Sequence, residues 1–234
     1  MYQPHPSPIL KSLFSLKPFQ GAEPKSATFL FVGLDANYDE EIELKPIFKD
    51  VLSYHENGVK FWNQRGVHHP FLLPQYSGDG HRYHRSFARI GFRPEHATLV
   101  SFVELLDFPT VGRSSLTVQD LDPKYLQHLN SLILEGSAKY IFLSAGVARL
   151  MKISKQFPWL RAVTGSAGIL PVIHSDGLRT VYLHLHFSNY GKFQKQMDLE
   201  ADAIRSLLFK SGVEVAGRAN VEENSPITDQ PNRL

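Results

Sequence analysis

The stretch "TVYLHLHFSNYGK", residues 180–192, decides the fold. Its apolar, β-branched start reads as a buried strand. It ends in two histidines, a serine and a glycine, just before a helical pattern. A strand that only fills a core has no need of that ending. In open α/β sheets the ligand sits outside the carboxyl ends of the strands, and a polar ending of this kind suits that place.

The same grammar recurs upstream. "ATFLFVGL" (27–34), "ATLVSFVEL" (97–105) and "KYIFLSAG" (139–146) are continuous apolar runs that read as strands. Residues 40–56 read as broadly helical, with Pro46 near the start. "LDPKYLQHLNSLILEG" (121–136) is a helix with Asp122 as its cap, Pro123 in the first turn and Gly136 as the stop. "VARLMKISKQF" is a short helix, and "ILPVIH" and "RTVYLHLH" are strands joined across the turn "SDGL". Phe193, Met197, Ala201, Ile204 and Leu208 recur at helical spacing. Strands alternating with helices predict an α/β fold: a three-layer α/β/α domain with a mostly parallel central sheet. The domain is expected over 26–211, preceded by an irregular arm (1–25) and followed by a polar, loose tail (212–234). Residues 57–96, rich in Gly, His, Arg and aromatics, read as a long irregular segment, and such segments in a domain are usually functional.

Composition narrows the chemistry. Across 234 residues, 42% are hydrophobic and the formal net charge is +2, so nucleic-acid contact needs a local basic patch. There is no cysteine, which excludes disulfides, cysteine nucleophiles, thiolate zinc and iron–sulfur clusters. The N-terminus "MYQPHPSPILKSLFSLKPFQ" is broken by prolines and reads as neither signal peptide nor membrane span, so the expected location is cytoplasmic. No G-x-x-x-x-G-K-[ST] or G-x-G-x-x-G follows any strand, so nucleotide-cradle folds lose support.

Four strand ends carry the candidate chemistry. "VGLDANYD" puts Gly33, Leu34, Asp35, Asn37 and Tyr38 directly after a strand; Asp35 alone reads equally as a turn former. "HLHFSNYG" offers His184 and His186, which share a face if both are in the strand. They read as a metal pair completed by "HHP" (68–69) or "HRYH" (81–84), or His186 reads as a donor to a substrate oxygen. In the second reading, Ser188 and the following amides hold a phosphate at a helix start. "FVELLDFPTVGRSS" supplies Glu104, which reads either a base amino group or an arginine of the long segment, and the donor-rich Arg113 and Ser114.

Together these pieces resemble the uracil-DNA glycosylase superfamily. "FVGLDANYD" resembles its first motif, in which a strand ends in Gly-x-Asp-Pro or Gly-x-Asn-Pro; "HFS" resembles the His-Pro-Ser of its second. "FVELLDFPTV" is similar to the Leu-Val-Asp-Arg-Pro-Thr-Val segment of the mismatch-specific uracil/thymine branch, and "VKFWNQRGV" resembles that branch's Asn-Arg-Phe-Trp stretch. The resemblance runs from about residue 28 to 208. It implies a monofunctional DNA glycosylase, a monomer whose partner is DNA, with no cofactor and no metal.

Position by position, the resemblance puts Asp35 on the residue that activates the attacking water and His186 on the histidine supporting the departing base. It puts Ser188 on the phosphate-binding serine and Glu104 near the reader of the base. Gly33, Leu34, Tyr38 and Phe61 join Glu104 around the base, and Asn37 joins the catalytic group. Arg82, Arg85, Arg113, Ser114, Ser188, Asn189, Tyr190 and Lys192 are the expected DNA contacts. Ala36 replaces the motif proline, Asn37 stands near a tyrosine that excludes a C5 methyl, and Asn189, Tyr190 and Gly191 replace the usual wedge loop. These departures point away from strict uracil specificity. A carboxylate at 104 accepts from the N4 amino group of cytosine, and a small residue at 37 leaves room at C5. The expected substrate is a C5-substituted cytosine, such as the hydroxymethylated or glucosylated bases of phage DNA, with a role in antiviral defence. The alternatives are a metal-dependent hydrolase built on the histidines and a non-catalytic nucleic-acid-binding module.

Overall fold

A computed structural model describes residues 3–112, 115–162 and 164–210. In chain order the first elements are β1 (Gln3–Pro4), α1 (Pro8–Leu16), β2 (Phe19–Gly21), β3 (Phe29–Gly33) and β4 (Asn37–Tyr38). Then come α2 (Phe48–Glu56), α3 (Gly58–Arg65), α4 (His81–Ala88), β5 (Val100–Glu104) and β6 (Thr110–Val111). The last are α5 (Pro123–Glu135), β7 (Tyr140–Ser144), α6 (Ala145–Ser154), β8 (Val172–Ser175), β9 (Thr180–His184) and α7 (Gln194–Lys210).

The main sheet has six strands in the order β2-β5-β3-β7-β9-β8. The four inner strands run parallel, and antiparallel β2 and β8 close the edges. Alternation along β3 shows why both faces are covered. Leu30 and Val32 join a core with Leu126, Leu129 and Ile133 of α5 and Val147 and Met151 of α6. Phe29 and Phe31 join a second core with Trp62 of α3, Phe87 of α4 and Ile204 and Leu208 of α7. The chain is therefore a mixed α/β protein with a mostly parallel central sheet and helices around it, as the alternating pattern predicts. Among the described residues no helix is long and apolar enough to cross a membrane.

Local signals place several ends as read. Asp122 accepts from Lys124 N at 2.9 Å at the start of α5, and Gly136 ends it. The "SDGL" turn has Gly177 at φ +85, with Asp176 Oδ1 accepting from Leu178 N at 3.0 Å. Other readings need correction. Residues 3–25 are not an irregular arm: Ser7 caps α1 by accepting from Leu10 N at 3.0 Å, and Leu10 and Phe14 are buried. β1 pairs with β6, and β2 is the edge strand beside β5. Residues 40–56 break into a 3-10 turn (Ile42–Leu44) and α2, because Pro46 cannot sit inside a helix. Residues 57–96 hold α3, α4 and two 3-10 turns, divided by Gly66 and Gly80 at positive φ. A small sheet, β1-β6-β4, sits at the carboxyl end of β3.

Candidate active site

The carboxyl ends of β3, β5 and β9 open into a cleft of about 810 Å³. Asp35, Glu104 and His186 all line it, together with Gly33, Leu34, Asn37, Tyr38, Ser188, Tyr190, Arg82 and Arg85. The parallel register explains the convergence: Gly33 pairs with Glu104, so the two strands end level and their next residues face one space.

His186 lies two residues past the end of β9. Its Nδ1 accepts from Ser188 N at 3.3 Å. A nitrogen that accepts carries no proton, so in the neutral ring Nε2 is the donor. Burial lowers the basicity of His186, and the Asp35 carboxylate partly offsets this. The ring is therefore a neutral N–H donor near pH 7.

Glu104 stands over Gly33, whose lack of a side chain leaves room for the carboxyl. A Cβ on Gly33 would come within 1.9 Å of Glu104 Oε2. Among the described residues, no hydrogen-bond or ion-pair partner meets the Glu104 carboxyl. Burial raises its pKa well above the ordinary range, and the nearby Asp35 raises it further. An unfolded glutamate ionises above about pH 4.3, whereas the folded one resists. Stability that this group contributes below that pH is lost as pH rises. Glu104→Gln keeps the shape of the neutral acid. It is expected to raise the thermal midpoint at pH 8, by about 2–4 °C for each kcal/mol relieved, with the gain vanishing below pH 4. Thermal scans across that range check it; a gain that is constant with pH would contradict the assignment.

Asp35 accepts from the hydroxyl of Thr110. Asn37 is turned toward the small sheet: its Nδ2 donates to Thr110 Oγ1 at 3.1 Å and to Gly112 O at 2.8 Å. Both amide protons are committed there, so Asn37 offers the substrate no donor. Tyr38 is buried and accepts from Gln20 Nε2 at 2.7 Å.

Several expected contacts part company with the site. Phe61 is buried in α3 with its ring 5.5 Å from Tyr54, and does not line the cleft; Phe71, Tyr83 and Phe102 are aromatic wall residues instead. β9 stops at His184, so strand alternation no longer couples 184 to 186. The His184 ring packs on Phe187 and its Nδ1 meets Leu185 O at 2.7 Å. Ser188 is at the cleft and its amide is held by His186; a 3-10 turn (Gly191–Phe193) begins three residues on and leads into α7. Lys192 lies over the neighbouring Phe193 ring at 5.2 Å, away from the cleft lining, as is Asn189. Arg113 and Ser114 lie outside the described residues, as do 211–234. Arg82 stands 4.3 Å over the ring of Tyr190, whose exposed side chain (66%) rises at the cleft rim.

The histidines of the long segment are wall material. His69 and His84 stack at 3.5 Å and both line the cleft, while His68 Nε2 is 3.2 Å from His84 Nδ1. Burial lowers all three, that of His68 to about 3. Among the described residues, no three His, Asp or Glu side chains are grouped to hold a metal ion. Tyr83, between His81 and His84, was not singled out from the sequence; its ring lies 5.4 Å from that of His186. The "HRYH" spacing gave the only signal for it, and that signal also fits a metal motif. No known family model matches the chain, and no curated protein matches it.

Proposed function

We propose that the protein is a monofunctional DNA glycosylase that hydrolyses the N-glycosidic bond of an extruded, C5-substituted cytosine. One observation carries this reading: Asp35 and His186 line a single cleft with Glu104 at the carboxyl edge of a parallel sheet. The resemblance of "FVGLDANYD" and "HFS" to the uracil-DNA glycosylase motifs supports it.

Departure of a base leaves positive charge on the sugar and negative charge on the base. Preorganised groups of opposite sign at both places lower the barrier. The Asp35 carboxylate faces the developing sugar cation and holds a water for attack at C1′. The His186 N–H donates to the base oxygen as it gains charge. A base inside a duplex is out of reach, so the nucleotide must be extruded. Exposed Tyr190, with Arg82 against its ring, fills the vacated stack, and Arg85 meets the backbone.

As a neutral acid, Glu104 carries a donor and an acceptor side by side. They match the N3 acceptor and N4 amino donor of cytosine. A rotated acid also matches the N3–H and O4 of uracil, so the choice between them rests on the C5 side. The cleft is far larger than a pyrimidine ring, and its wall includes the polar turn Ser77–Gly80. That lining suits a hydroxylated substituent, as in hydroxymethylated or glucosylated phage DNA, and such a substrate implies antiviral defence.

The test is a panel of oligonucleotides carrying cytosine, uracil, 5-hydroxymethylcytosine and its glucosylated form, incubated with the protein and treated with alkali. The expected result is strand scission at the substituted cytosines, at rates at least tenfold above uracil. Scission at uracil alone, equal in wild type and Glu104→Gln, sinks the base assignment. No scission on any oligonucleotide leaves a binding module.

A further inference from the structure

Thr110 is fully buried at the first position of β6, between two strands. β1 pairs with β6 on one side (Pro4↔Thr110), and β4 on the other (Asn37↔Thr110). Backbone bonds from Thr110 N to Ala36 O at 3.0 Å and from His5 N to Pro109 O at 2.8 Å fasten the same corner. The side chain is therefore held in one place by chain segments from three parts of the sequence.

Hydrogen-bond direction is fixed as well. Gly112 O can only accept, so the nitrogen of the Asn37 amide must face it. The same nitrogen donates its second proton to Thr110 Oγ1. With that lone pair taken, the Thr110 hydroxyl proton is directed to Asp35 Oδ2, the remaining acceptor. Among the described residues, the other titratable groups facing Asp35 are Glu104 at the end of β5 and His186 beyond β9. Neither donates to it in a bond of the structure.

We propose that Thr110 is a positioning residue for Asp35: its hydroxyl, oriented by Asn37, holds one carboxylate oxygen and aims the other into the cleft. This rests on the glycosylase reading, in which the second oxygen orders the attacking water. Thr110 and Asn37 touch no reacting atom. They act through the orientation of one carboxylate, where a misplacement of an ångström is enough to slow a reaction about a hundredfold.

The experiment uses Thr110→Val, Thr110→Ser, Asn37→Ala and the pair Asn37→Ala/Thr110→Val in the full chain. Abasic-site formation is followed on the best oligonucleotide of the panel. Thr110→Val is expected to lower kcat by about 10- to 100-fold, with KM within about twofold. Thr110→Ser, which keeps the hydroxyl, stays near wild type. The pair is expected to be no slower than Thr110→Val, because both changes release the same carboxylate. A second readout needs no activity. Thr110→Val is expected to lower the thermal midpoint by about 2–4 °C when Asp35 is present, and by clearly less on an Asp35→Ala background.

A wild-type rate for Thr110→Val, a Thr110→Ser as slow as Thr110→Val, or equal midpoint losses on both backgrounds overturns the proposal. If the wild-type protein makes no abasic sites, the glycosylase reading fails, and the two midpoint losses alone decide the Thr110–Asp35 coupling.

Discussion

Asp35→Asn is expected to lower kcat for abasic-site formation by about 10²–10³-fold while leaving oligonucleotide affinity within a few fold. The substitution keeps the size of the side chain and an oxygen to accept from Thr110. What it removes is the negative charge facing the developing sugar cation and the basic oxygen that orders water. Both act mainly in the transition state, so the loss falls on kcat rather than on binding. Single-turnover assays with alkali cleavage, paired with a gel-shift titration, separate the two. An unchanged rate would remove Asp35 from the chemistry, and a loss confined to affinity would make it a binding residue only.

The second large effect is acid lability. His68, His69, His84 and His184 are all pushed down by burial, His68 to about 3 and His184 to about 4. His69 is lowered further by His68, and His84 by its histidine neighbours. Each stays neutral in the folded chain but binds a proton in the unfolded chain below about pH 6.5. Their contribution to stability is complete above that pH and is lost as pH falls through it toward 4. Each histidine adds a slope of about 1.4 kcal/mol per pH unit. Glu104 and Glu200 are raised, by burial first, and oppose this, because folded they hold protons that the unfolded chain releases. Four strongly lowered histidines against two glutamates leave a net slope of about 3 kcal/mol per pH unit. At the low end of domain stabilities, about 5–7 kcal/mol, the chain is then expected to unfold between roughly pH 4 and 5. Urea midpoints at pH 8, 6, 5 and 4.5 test it, and His84→Gln is expected to flatten the slope by about one proton. A midpoint that is level from pH 8 to 5 would show that these rings protonate in the folded state.

Local signals were strong wherever one face or one cap decided the outcome. The Asp122 cap, the "SDGL" turn and the apolar runs at β3, β5, β7 and β9 depend on neighbours a few residues away, and they fall where the pattern puts them. The first residues read as an irregular arm because the signal for their structure is distant. Gln3–Pro4 becomes a strand only by pairing with Thr110–Val111, more than a hundred residues on. Phe61 is ambiguous for a similar reason: an aromatic in a helix reads the same whether it faces a cleft or Tyr54.

By itself the sequence determined an α/β chain with a mostly parallel sheet, and it marked 35, 104 and 186 as strand-end residues, because periodicity and chain order are written locally. Only the tertiary structure decided that these three line one cleft, that His184 does not, and that Asn37 reaches Asp35 through Thr110. Register between strands and the direction of a hydroxyl proton are settled by partners far apart in the chain. No spacing within a single segment encodes them.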